Sequence, residues 1–205
     1  MSTQLTPYSR KIVNLATALG GISKEQLKVI FKETEYHDDD SYTKLNKTLA
    51  FLRKNRYITY KDDIVTPFPD DGSFKPEKLD SVWVAINKCR TSDGAYNIED
   101  FINSFPNEPV SIVMINSEDN NIYNIVSLNE RSLSSVMAFV VEKFKSEHRD
   151  VKPEKLKNIQ YIFAVNDKAL IPEVASFNPP MQNKIALLVE GENGVKNVKY
   201  LSKKQ

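Results

Sequence analysis

A single cysteine in 205 residues, Cys89, leaves no internal disulfide possible. It reads as a buried core thiol on its helix. With only two histidines, His37 and His148, a zinc site of the usual kind cannot be assembled. No apolar run approaches the ~18 residues needed to span a bilayer. The longest, VMAFVV at 136–141, falls within an amphipathic stretch. The opening MSTQLTPYSR lacks the charged-then-apolar order of a secretory leader. These absences favour a cytoplasmic protein with no membrane partner. No G-x-S-x-G, Walker A or G-x-G-x-x-G pattern occurs, and EGENG at 190–194 reads as a hairpin turn. Charge of one sign is missing too. The net charge is only +1, so any affinity for nucleic acid must come from local clustering.

What is present supports a globular chain. A hydrophobic content of 40% supplies enough apolar material for a core. Charge is segregated near the N-terminal end. KETEYHDDD at 32–40 carries five acids, whereas 41–61 carries none and six bases: Lys44, Lys47, Arg53, Lys54, Arg56 and Lys61.

The periodicity predicts three helices and then a hairpin. Thr6 serves as N-cap of the first, with Pro7 at its first position, and Gly20-Gly21 stops it. Ser23 and Gln26 form a capping box for the second, which buries Leu27, Ile30 and Phe31. The third starts near Ser41 and buries Leu45, Leu49 and Leu52. YITY and IVTP then read as two strands joined by KDD. This is the parts list of a winged helix-turn-helix. TPFPDDGSFKPEK at 66–78 is rich in Pro, Asp and Gly and reads as linker. The expected division is 1–67, linker 68–78, and an α/β domain at 79–205.

In the second part, Leu79, Val82, Trp83 and Ile86 share one helical face, with Trp83 expected to anchor that helix on a sheet. VSIVMINS, IYNIVSL, IQYIFAVN, KIALLVEG and VKYLS read as strands. ERSLSSVMAFVVEKFKSEH reads as a long amphipathic helix, and DKALIPEVASF as a short one limited or kinked by Pro172.

On a wheel of ~100° per residue, Thr43, Lys47, Ala50 and Lys54 lie opposite the three leucines, flanked by Lys44 and Asn46. Ala50 permits close approach to a groove. Lys47 and Lys54 suit phosphate or guanine, Asn46 suits adenine, and Thr43 suits either a base or a phosphate. Ser41 and Tyr42 at the helix start suit phosphate, as the helix N-terminus does. Lys44, Arg53, Arg56 and Lys61 are expected to steer or hold the backbone. Two readings of KDD stay open: a wing on the backbone, opposed by Asp62 and Asp63, or a solvated turn. Asn46 reads more readily as an ordinary surface residue than as a base reader.

Catalysis has little footing. His37 beside Asp38, Asp39 and Asp40 offers at most a weak cation site in what reads as a solvated loop. The helix, strand, strand, helix, strand order of the second half resembles restriction-endonuclease-like cores, which hold a divalent metal on strand acids and a lysine. VSIVMINS and IYNIVSL contain neither, and Glu118 and Asp119 fall in the turn between them. No catalytic residue, metal site or cofactor is expected.

SYTKLNKTLAFLRKNRYITYKDDIV, together with VSIVMINS, IYNIVSLN, the helix after Glu130 and IQYIFAVND, resembles the replication-relaxation proteins. It is also similar to related winged-helix families of Gram-positive plasmids and conjugative elements. The resemblance implies DNA binding and a role in regulation, replication or transfer of a mobile element. The missing strand acids depart from the nuclease pattern. The expectation is an α+β or α/β chain: a winged helix-turn-helix followed by a small α/β domain, with a degenerate restriction-endonuclease-like core as an option. Its partner would be double-stranded DNA, and its second domain would pair with a second copy or another protein. The competing expectation is a protein-interaction or dimerisation module that does not touch DNA. A metal-dependent nuclease is a third.

Overall fold

The computed structural model describes residues 4–34, 41–70, 72, 74–102 and 105–201. The acidic stretch 35–40, with His37 and its suggested cation site, lies outside the described residues. The fold is mixed α and β, with a three-stranded and a six-stranded sheet.

The N-terminal part runs α1 (Pro7–Leu19), β1 (Ile22–Ser23), α2 (Lys24–Thr34), α3 (Ser41–Lys54), β2 (Ile58–Lys61) and β3 (Ile64–Pro67). Its caps follow the sequence. Thr6 Oγ1 accepts from Ser9 N at 3.1 Å, Pro7 opens α1, and Gly20 closes it at φ +71°. Ser23 N donates to Gln26 Oε1 at 2.9 Å, and Gln26 N donates to Ser23 Oγ at 3.1 Å, which completes the reciprocal capping box.

The sequence assigns Ile22–Ser23 only to the start of α2. The pair also forms a two-residue strand against Ile64 and Val65, so the antiparallel sheet has the order β1-β3-β2. Lys61 belongs to β2, and the hairpin turn shortens to Asp62-Asp63. Both have positive φ, 51° and 58°, as a two-residue type I′ turn requires. Asp63 is exposed but held by two bonds. Its Oδ1 accepts from Tyr60 Oη at 2.6 Å, and its carbonyl accepts from Lys24 N at 2.8 Å. Burial of the Tyr60 phenol, and then its bond to Asp63, push its pKa up to about 12.

The chain then passes the α1–β1 junction. The Phe74 ring lies against Gly21 so closely that a Cβ there would come within 2.5 Å of it. This contact requires glycine for close approach rather than for backbone freedom. The second part runs α4 (Lys78–Lys88), α5 (Ile98–Ile102), β4 (Phe105–Asn107), β5 (Val110–Ile115), β6 (Ile122–Ser127), α6 (Leu133–Glu147), β7 (Ile159–Val165), α7 (Ile171–Ser176), β8 (Asn183–Glu190) and β9 (Lys196–Leu201). The sheet order is β4-β5-β6-β7-β8-β9. β6, β7 and β8 are mutually parallel, and the other neighbours are antiparallel. The short α5 and β4 carry no strong sequence signal and add to the expected elements. Pro172 sits in the first turn of α7, where it starts the helix rather than kinking it.

Alternation along the strands sorts the core. Val113, Val126, Phe163, Val165 and Leu187 pack beneath α6 and α7. Ile112, Met114, Ile125, Ile162, Ala164 and Leu188 pack on the other face, against α4. The sequence predicts one apolar face on α4, yet residues 80–86 are all buried. The sheet covers one side of α4, and α2 with β1 covers the other. The same hydrophobic cluster therefore continues into Ile12, Leu27, Leu49 and Val65 of the first part. Gln26, fully buried, bridges the two parts by donating from Nε2 to the Leu79 carbonyl at 2.9 Å. Cys89 lies in this core, and its burial holds the thiol pKa well above the ordinary range. No helix among the described residues is long and apolar enough to cross a membrane.

Candidate nucleic-acid interface

Leu45, Leu49 and Leu52 bury one side of α3 against the N-terminal core. Lys44, Asn46, Lys47, Ala50, Arg53 and Lys54 are therefore turned toward solvent on the other side. Lys47 and Lys54, seven residues apart, lie on one line about 10 Å long at 1.5 Å per residue. Ala50 sits between them, Lys44 lies on one flank, and Asn46 with Arg53 lies on the other. Ser41, Tyr42 and Thr43 occupy the first turn of α3, and their side chains lie outside the described residues.

The helix ends in a Schellman motif. Tyr57 N donates to the Leu52 carbonyl at 2.9 Å, and Arg56 N donates to the Arg53 carbonyl at 3.1 Å. Arg56 takes the left-handed position with φ +60°, where glycine is usual. Its side chain is exposed.

The bases differ in their engagement. Lys47, Arg53, Lys54 and Arg56 form no ion pair or hydrogen bond through their side chains with a described residue. Lys44 Nζ lies 4.9 Å from the centre of the Tyr8 ring, which in turn meets Phe31 edge-on. Lys61 Nζ lies 4.0 Å from Asp62 Oδ2, with both side chains well exposed. A pair so open to water contributes little. Of the expected residues of α3, Lys44, Asn46, Lys47, Arg53 and Lys54 thus gather on one surface, whereas Lys61 stands beside the acidic hairpin tip.

A second concentration of polar groups lies elsewhere, and the sequence did not point to it. A cleft of about 480 Å³ opens where β6, β7 and β8 end, between α4 and the first turn of α2. Asp80 anchors it. Lys196 Nζ donates to Asp80 Oδ1 at 2.8 Å, and Asn166 Nδ2 donates to Asp80 Oδ2 at 3.2 Å. Glu190 Oε1 is 3.6 Å from the same Lys196 ammonium. Ser81 and Ser127 share a 2.6 Å hydroxyl contact nearby. Asp80 and Lys196 come from segments more than a hundred positions apart, so no local motif could have joined them. Among the described residues no cluster of His, Cys, Asp or Glu could hold a metal ion.

No protein-family model, no curated protein and no solved structure matches this chain.

Proposed function

We propose that this chain is a non-enzymatic protein that binds double-stranded DNA through α3. The observation that carries the reading is the unpaired basic face: Lys47, Arg53, Lys54 and Arg56 all face solvent with no described acid to neutralise them. The connectivity supports it. The order helix, strand, helix, helix, strand, strand with sheet order β1-β3-β2 suits a winged helix whose third helix enters the major groove. In this reading Lys47 and Lys54 meet phosphate or guanine, Asn46 reads a base edge, and Arg53 and Arg56 hold the backbone. The β2–β3 turn, acidic and with Asp63 bonded to Tyr60, stays off the DNA. The second part contributes pairing with a second copy or docking of a protein partner. The sequence resemblance extends the proposal to regulation, replication or transfer of a mobile element.

The test is binding to random duplex DNA by fluorescence anisotropy across a salt series, with Lys47→Ala/Lys54→Ala beside the wild type. Salt-sensitive binding is expected. Each lysine that neutralises a phosphate adds about 0.9 to the logarithmic slope, so the double variant should fall by about 1.8. Equal slopes and affinities would remove α3 from the interface. A protein-docking reading is favoured by one observation, the exposed acids Asp62 and Asp63 at the hairpin tip. Absence of DNA binding even at low salt would select it.

A further inference from the structure

We infer that the cleft between α2, α4 and the ends of the parallel strands is a binding site for a small organic cation. The ligand would carry an amine or guanidinium and a hydrogen-bond acceptor. Four observations lead there. The cleft lies outside the carboxyl ends of the parallel strands: Ser127, Leu128 and Asn129 follow or end β6, Asn166 follows β7, and Glu190 ends β8. The size, about 480 Å³, suits a small molecule.

The lining sets the sign of the charge. Glu25, Glu77, Asp80 and Glu190 face a single base, Lys196. Glu25 has its own partner in Lys28 at 3.4 Å. Lys196 is shared between Asp80 and Glu190. Glu77 precedes α4 without capping it through its side chain, and it pairs with no described residue. The surplus is negative. Because no three such groups converge closely enough for a metal ion, an extended cation fits the spread of charge better.

The fourth observation is independent of the acids. Trp83 lines the cleft and is 5% exposed, yet its indole N–H makes no hydrogen bond within the described structure. Among the described residues no fully buried side-chain nitrogen or oxygen lacks a partner. The N–H is therefore not sealed in the core, and Trp83 lines the cleft. A donor held this way, in a largely buried ring, calls for an acceptor on the ligand.

Trp83 is the only tryptophan in the chain, so its emission reports directly on the site. The full chain would be titrated with L-lysinamide and L-argininamide, which carry cationic groups and an amide oxygen. Hexanamide, which has the lysinamide skeleton without its amines, is the neutral comparison. The expected result is a saturable change in Trp83 emission with at least one cationic amide and none with hexanamide. Glu77→Gln/Glu190→Gln, which keeps shape and removes two exposed charges, should weaken that binding about tenfold or more. Thermal denaturation provides a second readout, since a ligand bound only by the folded chain raises Tm. Failure of both cationic amides to saturate in the millimolar range would overturn the inference. So would equal binding of hexanamide, or unchanged binding by the double variant. None of these outcomes depends on whether α3 binds DNA.

Discussion

Arg56 offers the sharpest separation of stability from binding. It holds φ +60° at the end of α3, a backbone region that costs a residue with a Cβ about 1–2 kcal/mol. Its side chain is exposed and makes no hydrogen bond or ion pair with a described residue that could offset this cost. Arg56→Gly relieves the steric cost but raises the entropy of the unfolded chain, which costs about 0.4–1 kcal/mol. The difference predicts a gain of roughly 0.5–1 kcal/mol. For a chain of this size that is a rise in Tm of about 1–4 °C. Urea and thermal denaturation followed by circular dichroism measure it. If Arg56 holds a phosphate, the same variant lowers the salt slope of DNA binding by about 0.9. Arg56→Lys, which keeps the charge and the strain, should leave the slope and stability near wild type. A glycine variant that is less stable would show that the arginine anchors the fold. One that is more stable but binds with unchanged slope would show that the strained arginine does not serve DNA binding.

Asn46→Ala should relax preference at a single base position while leaving binding to random duplex nearly unchanged, which competition against single-site libraries measures. Gln26→Ala removes half of the α2 capping box and leaves the Leu79 carbonyl without its partner, so a loss of about 2–3 kcal/mol is expected in urea titrations. Lys196→Met leaves Asp80, largely buried, without its counter-charge and should cost about 3–5 kcal/mol. Burial pushes Tyr60, Tyr123 and Tyr161 up to about 12 from an ordinary value of 10. The folded chain then binds more protons than the unfolded one above pH 10, so stability should fall from about pH 10 to pH 12. Tyrosinate absorbance followed beside Tm tests this, and a flat Tm across that window would refute it.

The parts legible in the sequence were those written in local chemistry. Thr6, Pro7, Gly20 and the Ser23/Gln26 pair each announce a helix boundary within a few residues, and the leucines of α3 announce its buried side. What escaped was set by partners distant in sequence. Two residues, Ile22 and Ser23, become a strand only because Val65 and Ile64 lie alongside. The full burial of α4 is invisible in its own periodicity. Its second covering surface is α2 and β1, more than forty residues upstream. The hairpin tip was ambiguous for a similar reason. KDD carries both signs of charge, and only the bonds from Tyr60 and Lys24 to Asp63 fix which way that acid lies.

A net charge of +1 does not argue against a DNA-binding role, because the relevant charge is local. At physiological salt the Debye length is about 8 Å, so an exposed base acts mainly through its nearest neighbours. Within 41–61 six bases stand without an acid, and four of them, on or just after α3, pair with no described residue. Of the described acids near this part of the chain, Asp62 stands exposed beside Lys61, and two others have partners away from α3. Asp63 is drawn toward Tyr60 and the start of α2, and Glu25 is paired with Lys28. The balancing negative charge collects in part around the cleft, where Glu77, Asp80 and Glu190 have Lys196 as their one lining base. In the proposed reading, separation of this kind would give the two surfaces opposite salt-dependent preferences on one nearly neutral chain: polyanions at α3, small cations at the cleft. Neutralising the cleft acids should therefore leave the DNA salt slope unchanged. A change in that slope in Glu77→Gln/Glu190→Gln would mean that the two surfaces are not electrostatically independent.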